Sequence, residues 1–404
     1  MHEGRHNLLR ARGDDYEARV EPVELFFDLV FVFAITQLSH RLIEHPNARG
    51  AAETGVLFLA IWWTWINSAW ATNWLDPKRT RVRLLLFALM GAGLVASTAI
   101  PQAFAERGLA FAGGFVAMEV GRSLFMLNAL RGHDRGNFRN FLRILIWQLP
   151  CAALWIAGGL AGPDARLWFW AGALTLWSIG PLTYFRVPGL ARSSPHDWSI
   201  DPHHLAERCS LFVILALGES ILVLGATFAG LAWTAEGMAA AAAGLAGTIA
   251  MWWIYFNIGA ERAQRVIEES AAPGRIGRDA YTYWHAPIGA GIVTSAAAVE
   301  WVLAHPTGHA EIYVVAAGLG GPALYLAGVA VFKRTTGAAN LPFSHELGLG
   351  ALAALALVAR WTQPWQLAIA IASVMIGVAI WETRSLGARH RAAEASAARR
   401  ETKP

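Results

Sequence analysis

The sequence predicts an all-α integral membrane protein with about twelve transmembrane helices. Of the 404 residues, 55% are hydrophobic and only 15% are charged, whereas about a quarter of the residues are charged in a typical soluble protein. Apolar runs of about 20 residues recur along the whole chain. Each of them is long enough to cross a hydrocarbon core roughly 30 Å thick.

The apolar runs divide the chain into successive predicted spans, and the basic residues between them indicate an orientation. We predict helices at 24–43, 56–75, 83–102, 109–130, 142–162, 167–186, 205–230, 236–258, 281–304, 309–332, 345–362 and 365–384. With the N-terminus inside, most Lys and Arg residues fall in inner segments, and the outer side holds Arg41, Arg49, Arg107, Arg166 and Arg360. This bias predicts the cell (inner) membrane with both termini in the cytoplasm.

Similar motifs occur in the same order in the two halves of the chain. The segment ALMGAGLVASTA (88–99) resembles APIGAGIVTSAA (286–297), and AIWWTWIN (60–67) resembles AMWWIYFN (250–257). Because each half holds six spans, the halves are expected to have the same topology, as in parallel-repeat transporters. The predicted divisions are an N-terminal arm (1–23), a first repeat (24–186), a linker (187–204), a second repeat (205–386) and a basic tail (387–404).

The first predicted helix carries polar residues along one side. Glu24, Asp28, Thr36 and His40 lie on a slowly turning stripe, with Gln37 beside it. One interpretation is a polar pathway lining in which Glu24 and Asp28 attract cations. The alternative is that the two carboxylates stabilise the start of the helix, where negative charge suits the helix dipole.

Two further helices carry ionisable residues within predicted spans. On the seventh helix, Glu207 and Arg208 lie near the cytoplasmic end, and Glu219, beside Ser220, falls near mid-membrane. Glu219 therefore needs a proton, an ion or a donor from a neighbouring helix. On the fourth helix, Glu119 and Arg122 are three residues apart and can pair.

The alternatives for Arg122 are a structural pair with Glu119 or a partnership with a carboxylate of the first or seventh helix. In the second half, Pro322 stands at the position that matches Arg122. The two halves are therefore not expected to be functionally equivalent. Near the start of the seventh helix, His203, His204 and Glu207 are weak candidates for metal ligands.

Two quoted motifs carry a resemblance to a known family. VELFFDLVFVFAITQLSH (23–40) and HLAERCSLFVILALGESIL (204–222) resemble the low temperature requirement A family of multi-pass membrane proteins. The resemblance implies a role in growth in the cold and places Glu24, Asp28, His204, Glu207, Arg208, Gly218 and Glu219 at characteristic positions. The segment FFDLVFVFAIT is also similar to the FSD segment of the lysosomal potassium channel family, with Phe27 in place of Ser.

These observations favour the translocation of a small solute or ion, by a proton-coupled transporter or a cation channel. The alternatives are a membrane-embedded, metal-dependent enzyme acting on lipid, and a sensor or scaffold for cold adaptation. No cofactor is predicted. The expected partners are the lipid bilayer and a small solute, a cation or a proton. A homodimer is left open, and nucleic-acid binding is not expected, since the pI of 9.3 reflects basic loops beside a membrane.

Overall fold

Twelve long α-helices make up most of the structure. The structure, a computed structural model, describes residues 7–10, 19–190, 200–257, 266, 270, 273–338 and 340–401. The helices are α1 (Pro22–Glu44), α2 (Ala48–Trp74), α3 (Thr80–Ala99), α4 (Gly108–Leu130), α5 (Arg135–Leu160), α6 (Pro163–Leu182), α7 (Pro202–Ala229), α8 (Ala235–Phe256), α9 (His285–Ala304), α10 (Ile312–Thr335), α11 (Phe343–Val358) and α12 (Pro364–Glu401). A short helix, Pro273–Gly277, and a π-helical segment, Arg278–Tyr283, precede α9. The described residues contain no β-strand.

The all-α prediction is confirmed, and each predicted span corresponds to one of these helices. Within the described residues, ten helices are long and apolar enough to cross a membrane. The other two long helices, α2 and α6, are rich in Trp, whose indole N–H makes the side chain amphipathic. The cytoplasmic location of both termini, the orientation of the helices and the internal repeat remain predictions.

The boundaries of two predicted divisions, the linker and the tail, differ from the helix boundaries in the structure. The predicted linker, 187–204, falls partly on residues 191–199, which lie outside the described residues, and α7 already begins at Pro202. His203 and His204 are therefore in the first turn of α7. The predicted tail, 387–404, is helical along its backbone to Glu401, and its last three residues lie outside the described residues.

Several helices begin at residues that satisfy their free backbone N–H groups. The side chains of Asn47, Asp134 and Thr234 accept hydrogen bonds from the backbone at the starts of α2, α5 and α8. At the start of α1, Glu24 accepts a bond from the backbone N–H of Glu21 at 3.0 Å. Glu24 thus takes part in capping the helix, as one of the two interpretations predicts.

The chain forms two compact units, which are described separately below. Unit 1 consists of the described residues of 1–219 and 263–286, and unit 2 consists of those of 220–262 and 287–404. In unit 1, α3 packs on α4, α4 on α5 and α5 on α6; α1 packs on α2 and α3, and α2 packs on α4 and α6. In unit 2, α12 packs on α8, α10 and α11, and α10 packs on α11. The predicted repeat boundaries are not tested by this division and stay a prediction.

Each unit contains one helix crossing that depends on small residues. In unit 1, a Cβ atom at Gly114 of α4 would lie 2.7 Å from the carbonyl oxygen of Ala92 in α3. In unit 2, a Cβ atom at Gly291 of α9 would lie 2.6 Å from the backbone nitrogen of Tyr325 in α10. Such close approach is typical of helices that pack inside membranes. The two crossings involve the third and fourth spans of each predicted repeat.

Candidate functional site

A fully buried charged group joins the N-terminal arm to the starts of α1 and α7. Arg10 donates to Glu24 Oε2 at 3.0 Å, and His204 Nε2 lies 2.9 Å from Glu24 Oε1. Asn73 Nδ2 faces His204 Nδ1 at 3.4 Å. A neutral imidazole with its proton on Nε2 satisfies both contacts, because it donates to Glu24 and accepts from Asn73. Neither Glu24 nor His204 has any exposed surface.

A second buried ion pair lies one turn further along α1. Arg208 of α7 donates to both oxygens of Asp28, at 2.8 and 2.7 Å, and Trp65 of α2 donates to Asp28 Oδ1 at 2.9 Å. The Arg208 guanidinium also lies 5.7 Å from the centre of the Trp65 ring. Two-pronged pairs of this kind combine strength with a fixed geometry. The pair therefore connects α1, α2 and α7 within unit 1.

The structure thus places two carboxylates of the characteristic motifs beside two arginines. Glu24 is neutralised by Arg10, and Asp28 by Arg208. Since breaking a buried ion pair leaves an uncompensated charge, both carboxylates contribute to holding helices together. Neither carboxylate is open to a solute in this arrangement. The hypothesis that they attract cations stays a prediction.

The candidate metal ligands at the start of α7 point to different surroundings. His204 faces Glu24, whereas His203 Nδ1 lies 4.0 Å from Glu207 Oε2 with a third of its side chain exposed. Glu207 also accepts a hydrogen bond from the backbone N–H of Val20 at 3.1 Å. Among the residues that the structure describes, no group of three or more His, Cys, Asp or Glu side chains could hold a metal ion.

A third buried polar group lies between α2, α4 and α5. Glu119 Oε2 accepts three hydrogen bonds, from Arg122 at 2.7 Å, Asn67 at 3.0 Å and Gln148 at 3.0 Å. Arg122 also donates to the hydroxyl of Ser68 at 3.3 Å. Of the two alternatives left open by the sequence, the structure shows Arg122 paired with Glu119.

Arg122 also lines a cavity of about 90 Å³ in unit 1, which we call the aromatic cavity. Its lining combines aromatic rings with a few polar side chains from α2, α4, α5, α6 and the segment before α9. The lining residues are Trp63, Asn67, Trp70, Trp74, Arg122, Ser123, Phe141, Ile144, Pro181, Tyr184, Phe185, Gly274, Arg275, Arg278 and Thr282. The cavity lies near the helix ends that the Lys and Arg bias assigns to the cytoplasmic side.

A much smaller cavity, of about 10 Å³, lies on the other side of Glu119. Three buried polar atoms of its lining residues have no hydrogen-bond partner in the protein: Glu119 Oε1, Gln148 Oε1 and Trp177 Nε1. This volume is about that of one water molecule. Two acceptors and one donor match what a single water can satisfy, so the second oxygen of Glu119 is suited to a proton or a water.

The remaining predicted residues form a looser group. Glu219 is buried, with 3% of its surface exposed, and it lies near Thr36 and His40. Thr36 and Gln37 are half-buried and His40 is exposed. Glu219 does not line the aromatic cavity. The structure therefore brings Glu219 together with the outer part of the α1 stripe, and separately from Glu119 and Arg122.

Unit 2 has its own cavity and its own buried ion pair. A cavity of about 70 Å³ is lined almost entirely by small and aliphatic residues, with Ser220, Thr248 and Ser295 as its only hydroxyl-bearing described residues. Elsewhere in the unit, Lys333 Nζ donates to Glu382 Oε1 at 2.5 Å. His345 is fully buried, and its Nδ1 lies 3.9 Å from the same oxygen.

Several of these residues were missed in the sequence because no spacing rule marks them. Arg10 was considered only as one of the basic residues of the N-terminal arm. Lys333 was considered only as a basic residue at the cytoplasmic end of a helix. Gln148 carries a polar amide inside an apolar span, and this polarity could have marked it as a candidate site residue. Arg275 and Arg278 lie in a short segment outside the predicted spans, where a basic residue is unremarkable.

In the part of the chain that the structure describes, ten helices long and apolar enough to cross a membrane define a multi-pass helical membrane protein. The family model described as bacterial low temperature requirement A protein (LtrA) matches residues 19–380, and the chain belongs to this family. An uncharacterized protein of Rhizobium meliloti (strain 1021) is 39% identical over 382 residues, which cover 95% of this chain and 93% of the relative. No solved structure matches the chain.

Proposed function

We propose that the protein moves a small solute across the membrane by way of the aromatic cavity. The observation that carries the proposal is the position of Arg122, which is buried, and of Asn67, which is half-buried: both lie within helices and line a cavity. A charged side chain at the centre of a membrane helix costs about 2.5–3.5 kcal/mol or more. Such residues usually face a substrate pathway or a partner, and Arg122 faces both a partner and a cavity.

Glu119 is the group that couples the solute to a proton in this proposal. All three of its donors bind Oε2, and Oε1 has no partner in the protein. A proton on Oε1 removes the negative charge that balances Arg122. The guanidinium then becomes available to a solute in the cavity, and loss of the proton restores the Glu119–Arg122 pair.

The proposed setting is the cell membrane, with both termini and the aromatic cavity on the cytoplasmic side. The support is the distribution of Lys and Arg, which concentrates them in the segments that join the helices at that end. Glu219, with Thr36 and His40, lies nearer the outer end of α1 by sequence position. In this proposal these three residues form the outer part of the route.

Uptake into proteoliposomes tests the proposal. Radiolabelled benzenesulfonate, choline and alanine serve as anionic, cationic and zwitterionic probes. We expect at least one of them to enter faster than into liposomes without protein. Asn67→Leu removes a hydrogen bond to a charged group, worth about 1.5–3 kcal/mol, so uptake should fall roughly tenfold or more.

Asn257→Leu is the matched control, because Asn257 occupies the aligned position of the second half. Its amide is exposed and donates to Thr383 at 2.8 Å, outside the aromatic cavity. Uptake by this variant should equal that of the wild type. The absence of protein-dependent uptake of all three probes, or equal uptake by wild type and Asn67→Leu, contradicts the proposal.

A further inference from the structure

The charges around the aromatic cavity are all of one sign. Three arginines line it, Arg122, Arg275 and Arg278, and no carboxylate is found among the described lining residues. Arg122 is balanced by Glu119, and Arg278 by Asp279 at 2.6 Å. Arg275 is exposed and has no hydrogen-bond or ion-pair partner among the described residues. Among the described residues, the cavity lining therefore holds one positive charge without a paired carboxylate.

The other walls of the cavity are aromatic and held in place. Trp70 donates to the hydroxyl of Thr282 at 2.9 Å and stacks on Trp74, whose ring meets Phe141 edge-on at 5.6 Å. Tyr184 lies beneath the guanidinium of Arg278, 5.2 Å from ring centre to cation. Flat apolar walls with a few fixed polar groups are typical of sites for small organic molecules.

The size of the cavity limits what it can hold. An engineered protein cavity of about 150 Å³ is large enough to bind benzene, and the aromatic cavity measures about 90 Å³. A ligand can therefore place at most one small ring or a short aliphatic group inside, with a charged group towards Arg275. A cation is disfavoured, because the unpaired charge among the described lining residues is the guanidinium of Arg275.

We infer that the aromatic cavity binds a small organic anion, namely a carboxylate, sulfonate or phosphate that carries one apolar group no larger than a benzene ring. The inference rests on the proposed function and names the substrate class of the same site. Arg275 attracts the anionic group, and the tryptophans contact the apolar part. A soluble anion and an anionic lipid headgroup share this chemistry.

Equilibrium dialysis of the full-length protein in detergent tests the inference. Radiolabelled benzenesulfonate is a permanent one-ring anion, and benzyl alcohol is its neutral counterpart. We expect saturable binding at one site, with benzenesulfonate bound about tenfold or more tightly than benzyl alcohol. Arg275→Gln should weaken benzenesulfonate binding by about three- to tenfold, because the variant removes the charge while leaving the aromatic walls in place.

Arg139→Gln is the matched control for that variant. Arg139 is also an exposed arginine, it lies at the same end of α5 as the cavity residue Phe141, and it does not line the cavity. Binding by Arg139→Gln should equal that of the wild type. Equal affinity for benzenesulfonate and benzyl alcohol, or unchanged affinity in Arg275→Gln, overturns the inference.

A second probe distinguishes the two sources of the anion. Palmitoyl lysophosphatidate presents a phosphate on a long chain. If it binds with the same dependence on Arg275 and displaces benzenesulfonate, the site accepts lipid headgroups; if it does not, the anion is soluble. Benzenesulfonate binding without uptake would leave the inference standing and contradict the proposed function. Uptake restricted to choline or alanine would support the proposed function and contradict the inference that the cavity binds an anion.

Discussion

The two larger described cavities, of about 90 Å³ in unit 1 and about 70 Å³ in unit 2, differ in chemistry. Arg122 lines the aromatic cavity of unit 1, and the residue at the matching position, Pro322, lines the cavity of unit 2. The first cavity has rings and arginines in its walls. The second has mostly Ala, Gly, Val and Leu side chains. The larger described cavity of unit 1 is therefore aromatic and charged, and the cavity of unit 2 is apolar.

This difference follows the placement of the buried ionisable residues in the two units. In unit 1, ionisable side chains from α1, α4 and α7 are buried beside partners, and one such group reaches a cavity. In unit 2, the described cavity has no ionisable residue in its lining, and the Lys333–Glu382 pair lies apart from it. Unit 1 thus brings a buried ion pair to the wall of a cavity, whereas the ion pair of unit 2 lies away from its described cavity.

The largest expected effect comes from breaking the buried pair of unit 1. Asp28→Asn leaves the Arg208 charge uncompensated, since both oxygens of Asp28 accept from Arg208 and neither side chain is more than 1% exposed. We expect a loss of about 3–5 kcal/mol in the free energy of unfolding. Thermal unfolding of the purified protein in detergent measures it.

Glu382→Gln provides the corresponding change in unit 2. Lys333 and Glu382 are each about a tenth exposed, so a smaller loss, about 1–3 kcal/mol, is expected. The double variant Asp28→Asn/Arg208→Gln should recover part of the stability lost by Asp28→Asn. Losses of equal size in the two units would remove the contrast between them.

A smaller effect separates the two glycines that align in the predicted repeat. Gly291→Ala would place a Cβ atom 2.6 Å from the backbone nitrogen of Tyr325, and a helix backbone cannot move aside easily. Gly93→Ala would meet only the side chains of Val30 at 3.0 Å and Met118 at 3.2 Å, which can adjust. We expect a loss of about 1–3 kcal/mol for Gly291→Ala.

For Gly93→Ala the expected change is within about 1 kcal/mol, because the gain in helix propensity offsets part of the crowding. Both variants can be compared by thermal unfolding in the same detergent. If Gly93→Ala is the more damaging of the two, the close α9–α10 crossing is not the stricter one, and the comparison of the units has to be revised.

The positions of the helices could be predicted from the sequence because a membrane span needs a long apolar run, and such runs are visible along the chain. Each predicted span corresponds to a helix, although α2 and α5 begin eight and seven residues before their predicted starts. The Glu119–Arg122 contact could also be predicted, since residues three apart share a helix face. These features depend only on local spacing.

The contacts between distant segments could not be predicted in the same way. Asp28 and Arg208 are 180 residues apart, and only the packing of α1 beside α7 brings them together. The contribution of Arg10 requires the N-terminal arm to fold back against Trp74, with its backbone N–H donating to the Trp74 carbonyl at 2.8 Å. The aromatic cavity likewise needs side chains from five separate stretches of the chain.

The accessibility of the two cavities to water tests the central claim most directly. In a variant in which Cys151 and Cys209 are replaced by Ala, Ser123→Cys places a thiol in the aromatic cavity and Ser295→Cys places one in the cavity of unit 2. The reagent is 2-sulfonatoethyl methanethiosulfonate, an anion that does not cross membranes. We predict that Ser123→Cys reacts, that benzenesulfonate slows the reaction, and that Ser295→Cys stays unlabelled. An unreactive Ser123→Cys, or equal labelling of the two thiols with no protection by benzenesulfonate, would contradict the account.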